Sequence, residues 1–487
     1  MQRRIARHGR IARHGRAARH GRVAAALAGL ALVAATTAGC LGTNANSDST
    51  KNADAKEFTL SIGVNAIAGG KNALQAEWLS NWVIPKFVDD QKAKGRTAHV
   101  TLQPSGAGDE DYKSKIALDL KTGSGADIYS IDGIWVGEFA DAGYIKPIED
   151  LVGKAKADGW DGWDQIPPAV QGNMSYNGKR YGVPLGTDGR VIYFNRKLFA
   201  QAGLPADWQP RSWDDIITAG QTLKARLPGV TPLQLNAGTA MGEATTMQGI
   251  LPLLVGAGHQ VWSEGKWQGN TPALRDALGM YQKIYGGGLG DPVLQQDAKG
   301  RDKSFQAFAA GKIGMLFEGD YFWRAVVDPT KGIAKMPDRD QTVGYAMIPA
   351  KTPGAGIRGQ DFVSMSGGSG HVLNPATKYP QQTWELLQFL NSKAATIASL
   401  GGSPRVTQRQ DVNDEVLKSE PMLSFVAQKV LPLTAYRPGF AVYPRVSQAL
   451  QQATLDVATG MPPADAAAAY QRTAEPIVGG TDKLATG

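Results

Sequence analysis

Cysteine is nearly absent: the chain of 487 residues has one, Cys40. With none after it, the body of the protein holds no intramolecular disulfide, and its stability comes from packing. Histidine is scarce as well. Three of the six lie in the first 22 residues, and His99, His259 and His371 stand far apart without HExxH spacing, so no metal site is expected. No Walker phosphate loop occurs and the Gly106-Ala107-Gly108 run lacks GxGxxG spacing, which argues against a nucleotide; no cofactor is expected. A GxSxG elbow is missing too. Beyond Ala38 no apolar run reaches membrane-spanning length.

What is present begins with the leader. Met1–Arg22 carries eight arginines and no acid, Val23–Ala38 is almost all Ala, Leu, Val and Gly, and Thr37-Ala38-Gly39-Cys40 follows. A charged stretch, a short apolar stretch and small residues before a cut make an export signal. With a lone cysteine at the cut, the segment resembles a lipoprotein signal: 1–39 is the signal peptide, and Cys40 is lipidated on its sulfur as the new N-terminus. Thr37 departs from the pattern, which usually has an aliphatic residue there. The leader also accounts for the basic charge, since it holds eight of the 52 Lys+Arg and the rest balance the 44 Asp+Glu. A nucleic-acid partner is therefore not expected. The Arg-His-Gly-Arg unit, present three times, reads as a duplicated leader segment.

Residues 40–57 are rich in Asn, Ser, Thr, Asp and Ala and read as a flexible tether. The remainder is too long for one compact core and suits two domains. Phe58, Leu60, Ile62 and Val64 alternate as in a strand, and Leu74, Trp78, Trp82 and Phe87 follow at helical spacing. Val100 and Leu102 mark a second strand, Asp109 a cap for a helix carrying Tyr112, Ile116 and Leu120, and Asp127–Asp132 a third strand. Such alternation predicts a parallel sheet covered by helices. Asn177-Gly178 and Glu264-Gly265 predict tight hairpins. Val191–Phe194 reads as a strand buried on both faces, and Ser212 with Asp215 as a capping box.

Five blocks in order resemble the extracellular solute-binding proteins of ABC importers, in the large family that binds sugars and oligosaccharides. They are Ala126–Asp132 with Trp135 and Ala140–Ile148; Gly178–Pro184 with Ile192–Asn195; Phe308–Met315 with Gly319; Gly367-Gly368; and Gly401–Arg405. The resemblance implies an α/β fold of two lobes, like the periplasmic binding proteins, with a hinge and a ligand cleft between them. Carried onto this chain, lobe 1 is 58–186 plus 350–405 and lobe 2 is 187–349 plus 406–487. It implies capture of a mono- or oligosaccharide, delivery to permease subunits, a monomer, no catalysis, and a location at the outer face of the cytoplasmic membrane, held by lipid on Cys40.

Sugars present hydroxyls to Asp, Asn and Arg and C–H faces to aromatic rings. Asp188, after the Val183-Pro184 crossover, is where the resemblance implies a polar cleft residue; the plainer alternative is a turn residue before Gly189. Arg190 meets the ligand or pairs with Asp188. Asp132 and Trp135 lie where a strand passes into a helix, the edge on which α/β sites are built, and Asp132 also suits a helix cap. Tyr321 and Trp323 are candidate stacking rings or buried ones. Tyr436, Arg437 and Tyr443 sit in a late loop that the resemblance brings to the cleft, and Asn65 ends the first strand. Glu243 and Asp361 are weaker candidates. Asp188→Ala is expected to weaken binding and leave the fold intact. The rival readings are an exported glycoside hydrolase or lyase, and the same fold holding a glycerol phosphodiester, a polyamine or an opine.

Overall fold

The computed structural model describes residues 49–70 and 72–487; the leader, Cys40 and the first part of the tether lie outside the described residues. The fold is two-lobed, each lobe built on its own sheet. Alternation sends Phe58, Leu60 and Ile62 into the core of the strand Glu57–Val64, which pairs in parallel with Thr97–Pro104 and with Ile128–Asp132. The first sheet runs Thr97–Pro104, Glu57–Val64, Ile128–Asp132, Ser369–Leu373, Gly182–Pro184. The second runs Val343–Ala346, Arg190–Asn195, Ile313–Gly319, Thr231–Gln234.

Neither sheet is purely parallel. Ser369–Leu373 lies antiparallel to both its neighbours, and Arg190–Asn195 lies antiparallel to both of its own. A third small sheet joins Ile348–Pro349, Phe362–Ser366 and Thr434–Tyr436.

Local rules hold where they are strongest. Arg190–Asn195 is buried throughout, each large apolar side chain there contributing about 1.5–3 kcal/mol. Ser212 and Asp215 form the capping box of the helix Trp213–Arg226. Asn177 and Gly178 take φ of 48° and 74°, the pair a type I′ turn requires. Asp109 differs: it is the first residue of the helix Asp109–Thr122, and Gly108 is the cap.

The end of the tether is not free. Residues 49–54 turn against the start of the helix Pro380–Leu390, where Gln381 donates to the Ser49 carbonyl at 2.6 Å and Gln382 to that of Asn52 at 2.8 Å. Two polar residues in the helix's first turn supply these donors, which composition of the tether alone does not reveal. Among the described residues no helix is long and apolar enough to cross a membrane.

Candidate functional site

Three segments, near residues 187, 367 and 436, meet. Asp188 sits on the first. Its Oδ1 accepts the Gly367 N–H at 2.8 Å and the Arg190 guanidinium, while the Ser366 hydroxyl donates to its backbone carbonyl. Arg190, buried at 7% exposure, also donates from Nε to Gln248 Oε1 at 2.9 Å and from Nη1 to the Met365 carbonyl at 3.2 Å. Arg190 is an ion-pair partner of Asp188. The backbones touch here as well. A Cβ on Gly368 would stand 2.6 Å from the Gly186 carbonyl oxygen, and its φ of 151° favours glycine.

The third segment brings Tyr436 and Arg437. Tyr436 shares a 2.9 Å hydrogen bond with Thr187, and burial raises its hydroxyl pKa. Arg437 Nη1 donates to Glu243 Oε2 at 2.9 Å; Tyr443 donates to the same oxygen at 3.1 Å, and Ser447 to the other. Arg437 Nε is buried and unpartnered. Burial disfavours the Arg437 cation, but Tyr443, Glu243 and Asp132 outweigh it and raise its pKa.

Asn65, Asp132 and Trp135 line a cavity of about 360 Å³ with Asp109 and Tyr112. Asp132 caps its helix, accepting the Ile134 N–H at 3.1 Å, and also faces this cavity. Burial raises its carboxyl pKa, against the lowering effect of Arg437. Asn65 Nδ2 donates to Asp109 at 3.1 Å, leaving its Oδ1 buried and unpartnered. Trp135 shows only 6% of its surface, packed against Tyr112 and Phe139.

The two remaining rings are not gathered in. Trp323 is 4% exposed, with Arg339 4.0 Å above it and Tyr345 edge-on, so neither face is open to a ligand. Tyr321 is exposed, with Arg324 5.6 Å from its centroid. Tyr443 is interior at 1% exposure and reaches the site by its hydroxyl alone.

Sequence reasoning ranked Glu243 low and passed over Asp320. Glu243 is the acceptor that ties Arg437, Tyr443 and Ser447 together, and its one sequence signal is an acid in a first helical turn after Gly242. Asp320 follows the strand Ile313–Gly319, fully enclosed; burial and the Asp188 charge raise its pKa, and its Oδ1 has no partner. Among the described residues no group of three His, Cys, Asp or Glu could hold a metal ion.

A family model for bacterial extracellular solute-binding proteins matches residues 67–397. A protein of Brucella abortus named only as a binding protein is 23% identical over 386 residues, 78% of this chain and 86% of that one. The fold matches that of the sugar-binding protein MalE of Xanthomonas citri with a TM-score of 0.68 and 15% identity, covering 86% of this chain and 97% of that one. It likewise matches the cyclic alpha-maltosyl-1,6-maltose binding protein of Arthrobacter globiformis, with TM-score 0.65, 18% identity and coverage of 86% and 99%. These are binding proteins rather than enzymes. The chain belongs to the bacterial extracellular solute-binding protein family.

Proposed function

We propose that the protein captures a carbohydrate in the cleft between its lobes and releases it, chemically unaltered, to the permease of an ABC importer. The observation that carries this is a set of buried polar atoms without partners among the described residues: Asn65 Oδ1, in the cavity that Asp132 lines, Asp320 Oδ1, which feels the Asp188 charge, and Arg437 Nε, whose guanidinium feels the Asp132 charge. Burying such atoms unpaired is costly, and a polyhydroxy ligand supplies donors and acceptors at once. The charges support a sugar over a phosphodiester, because Arg190 and Arg437 already face Asp188 and Glu243. The names of the two matched structures point the same way.

Lobe 1 is assigned to 58–186 with 350–405 and lobe 2 to 187–349 with 406–487, closing on ligand that touches both. Cys40 is assigned as the lipid attachment point, holding a monomer at the outer face of the cytoplasmic membrane beside its permease. A thermal-shift screen with mono- and oligosaccharides tests the binding reading. A rise in melting temperature with one sugar supports it, and no rise with any contradicts it.

A further inference from the structure

The 360 Å³ cavity does not end at Asp132. Asn72, Gln75 and Ser369 line it and also line a neighbouring cavity of about 430 Å³. Together the two fall in the upper part of the roughly 300–1,000 Å³ range of sites for drug-sized ligands.

The two compartments differ in charge. Asp109 and Asp132 line the first, with no cation among the described residues. The second has one charged lining residue among those described, Arg405, and no carboxylate. The Arg405 side chain is exposed; its guanidinium donates from Nη2 to the Ser399 carbonyl at 3.0 Å and, among the described residues, makes no ion pair. A second feature points to a ligand: Thr396 lines the same cavity, is 4% exposed, and its hydroxyl has no partner. Trp78 and Leu185 give the cavity an apolar wall on which a ring can lie.

We propose that the ligand is an oligosaccharide of at least two rings, spanning both cavities, whose ring in the larger one bears a carboxylate that pairs with Arg405. Neutral hydroxyls meet Asp109 and Asp132, and the acidic ring meets Arg405 and Thr396. This rests on the carbohydrate reading above and narrows it to acidic saccharides such as uronate-containing ones.

The test is calorimetry with matched pairs: neutral di- to tetrasaccharides and the same sugars oxidised at C6 of a terminal ring. At least one oxidised member binds more tightly than its neutral partner by more than about twofold, the range from an exposed ion pair to a charge-assisted hydrogen bond. Arg405→Gln brings that ratio near one, and Arg405→Lys, which keeps charge but not the guanidinium fork, restores part of it. If neutral sugars bind and every ratio is within about twofold of one, the acidic assignment is overturned and the carbohydrate reading stands. A preference that survives in Arg405→Gln also overturns it. If no sugar of either kind binds, the carbohydrate reading fails and this inference falls with it.

Discussion

Arg437 and Glu243, 194 positions apart, meet with Nη1 2.9 Å from Oε2. The pair ties Arg437 to the start of the helix Glu243–Thr245, and it leaves Nε of Arg437 buried with no partner among the described residues. A ligand oxygen at that nitrogen makes a charge-assisted bond. Arg437→Met therefore lowers sugar affinity by roughly 10- to 100-fold, the equivalent of about 1.5–3 kcal/mol, as measured by calorimetry.

Asp188 also has a structural partner. Its carboxylate is the ion-pair partner of Arg190, whose side chain is 9% exposed. Asp188→Ala leaves that cation without its anion, a loss of about 3–5 kcal/mol when a buried pair is broken, so the fold itself suffers. Asp188→Asn keeps an acceptor for the Gly367 N–H and Arg190, and separates the two effects. The alanine variant melts well below wild type, the asparagine variant close to it, and both bind sugar more weakly.

The hinge glycine gives a third outcome. Gly368→Ala puts a methyl 2.6 Å from the Gly186 carbonyl, at a φ that other residues rarely adopt. Gly367→Ala meets only Arg437 Nη2 at 3.7 Å and Asp188 Oδ1 at 3.9 Å, ordinary contacts. The first lowers the melting temperature of the unliganded protein. The second leaves it near wild type and, by crowding two site groups, weakens binding. Equal melting temperatures for the two variants contradict this picture.

His371 sets a pH dependence. It is fully buried between Ile128–Asp132 and Gly182–Pro184, neither ring nitrogen has a partner, and burial lowers its pKa from 6.5 to about 4. Between those values the unfolded chain binds a proton that the folded chain does not. Its contribution is therefore complete above pH 6.5 and is lost as pH falls towards 4, with a slope of at most about 1.4 kcal/mol per pH unit. His371→Leu removes this slope, read as a smaller drop in melting temperature from pH 7 to 4.5.

Elements set by neighbours in sequence were legible: the alternating first strand, the Ser212 capping box and the Asn177-Gly178 turn are local devices. What the chain did not reveal is set by long-range meetings. Ser369–Leu373 pairs antiparallel with two strands that lie far away in the sequence. Trp323 and Tyr321 differ by two positions and by burial, which depends on Arg339 and Tyr345 arriving from elsewhere. Glu243 became central only through Arg437, Tyr443 and Ser447, about 200 positions away. The five ordered blocks identified the family, because their order carries information that each block lacks.

The central claim is that a sugar is held between two lobes and leaves unaltered. Calorimetry of the protein with the saccharide that most raises its melting temperature, followed by mass analysis of the recovered ligand, tests it most directly. One saccharide per chain, recovered at its original mass, is the predicted result. Cleaved or modified sugar, or no heat of binding with any saccharide, would contradict it.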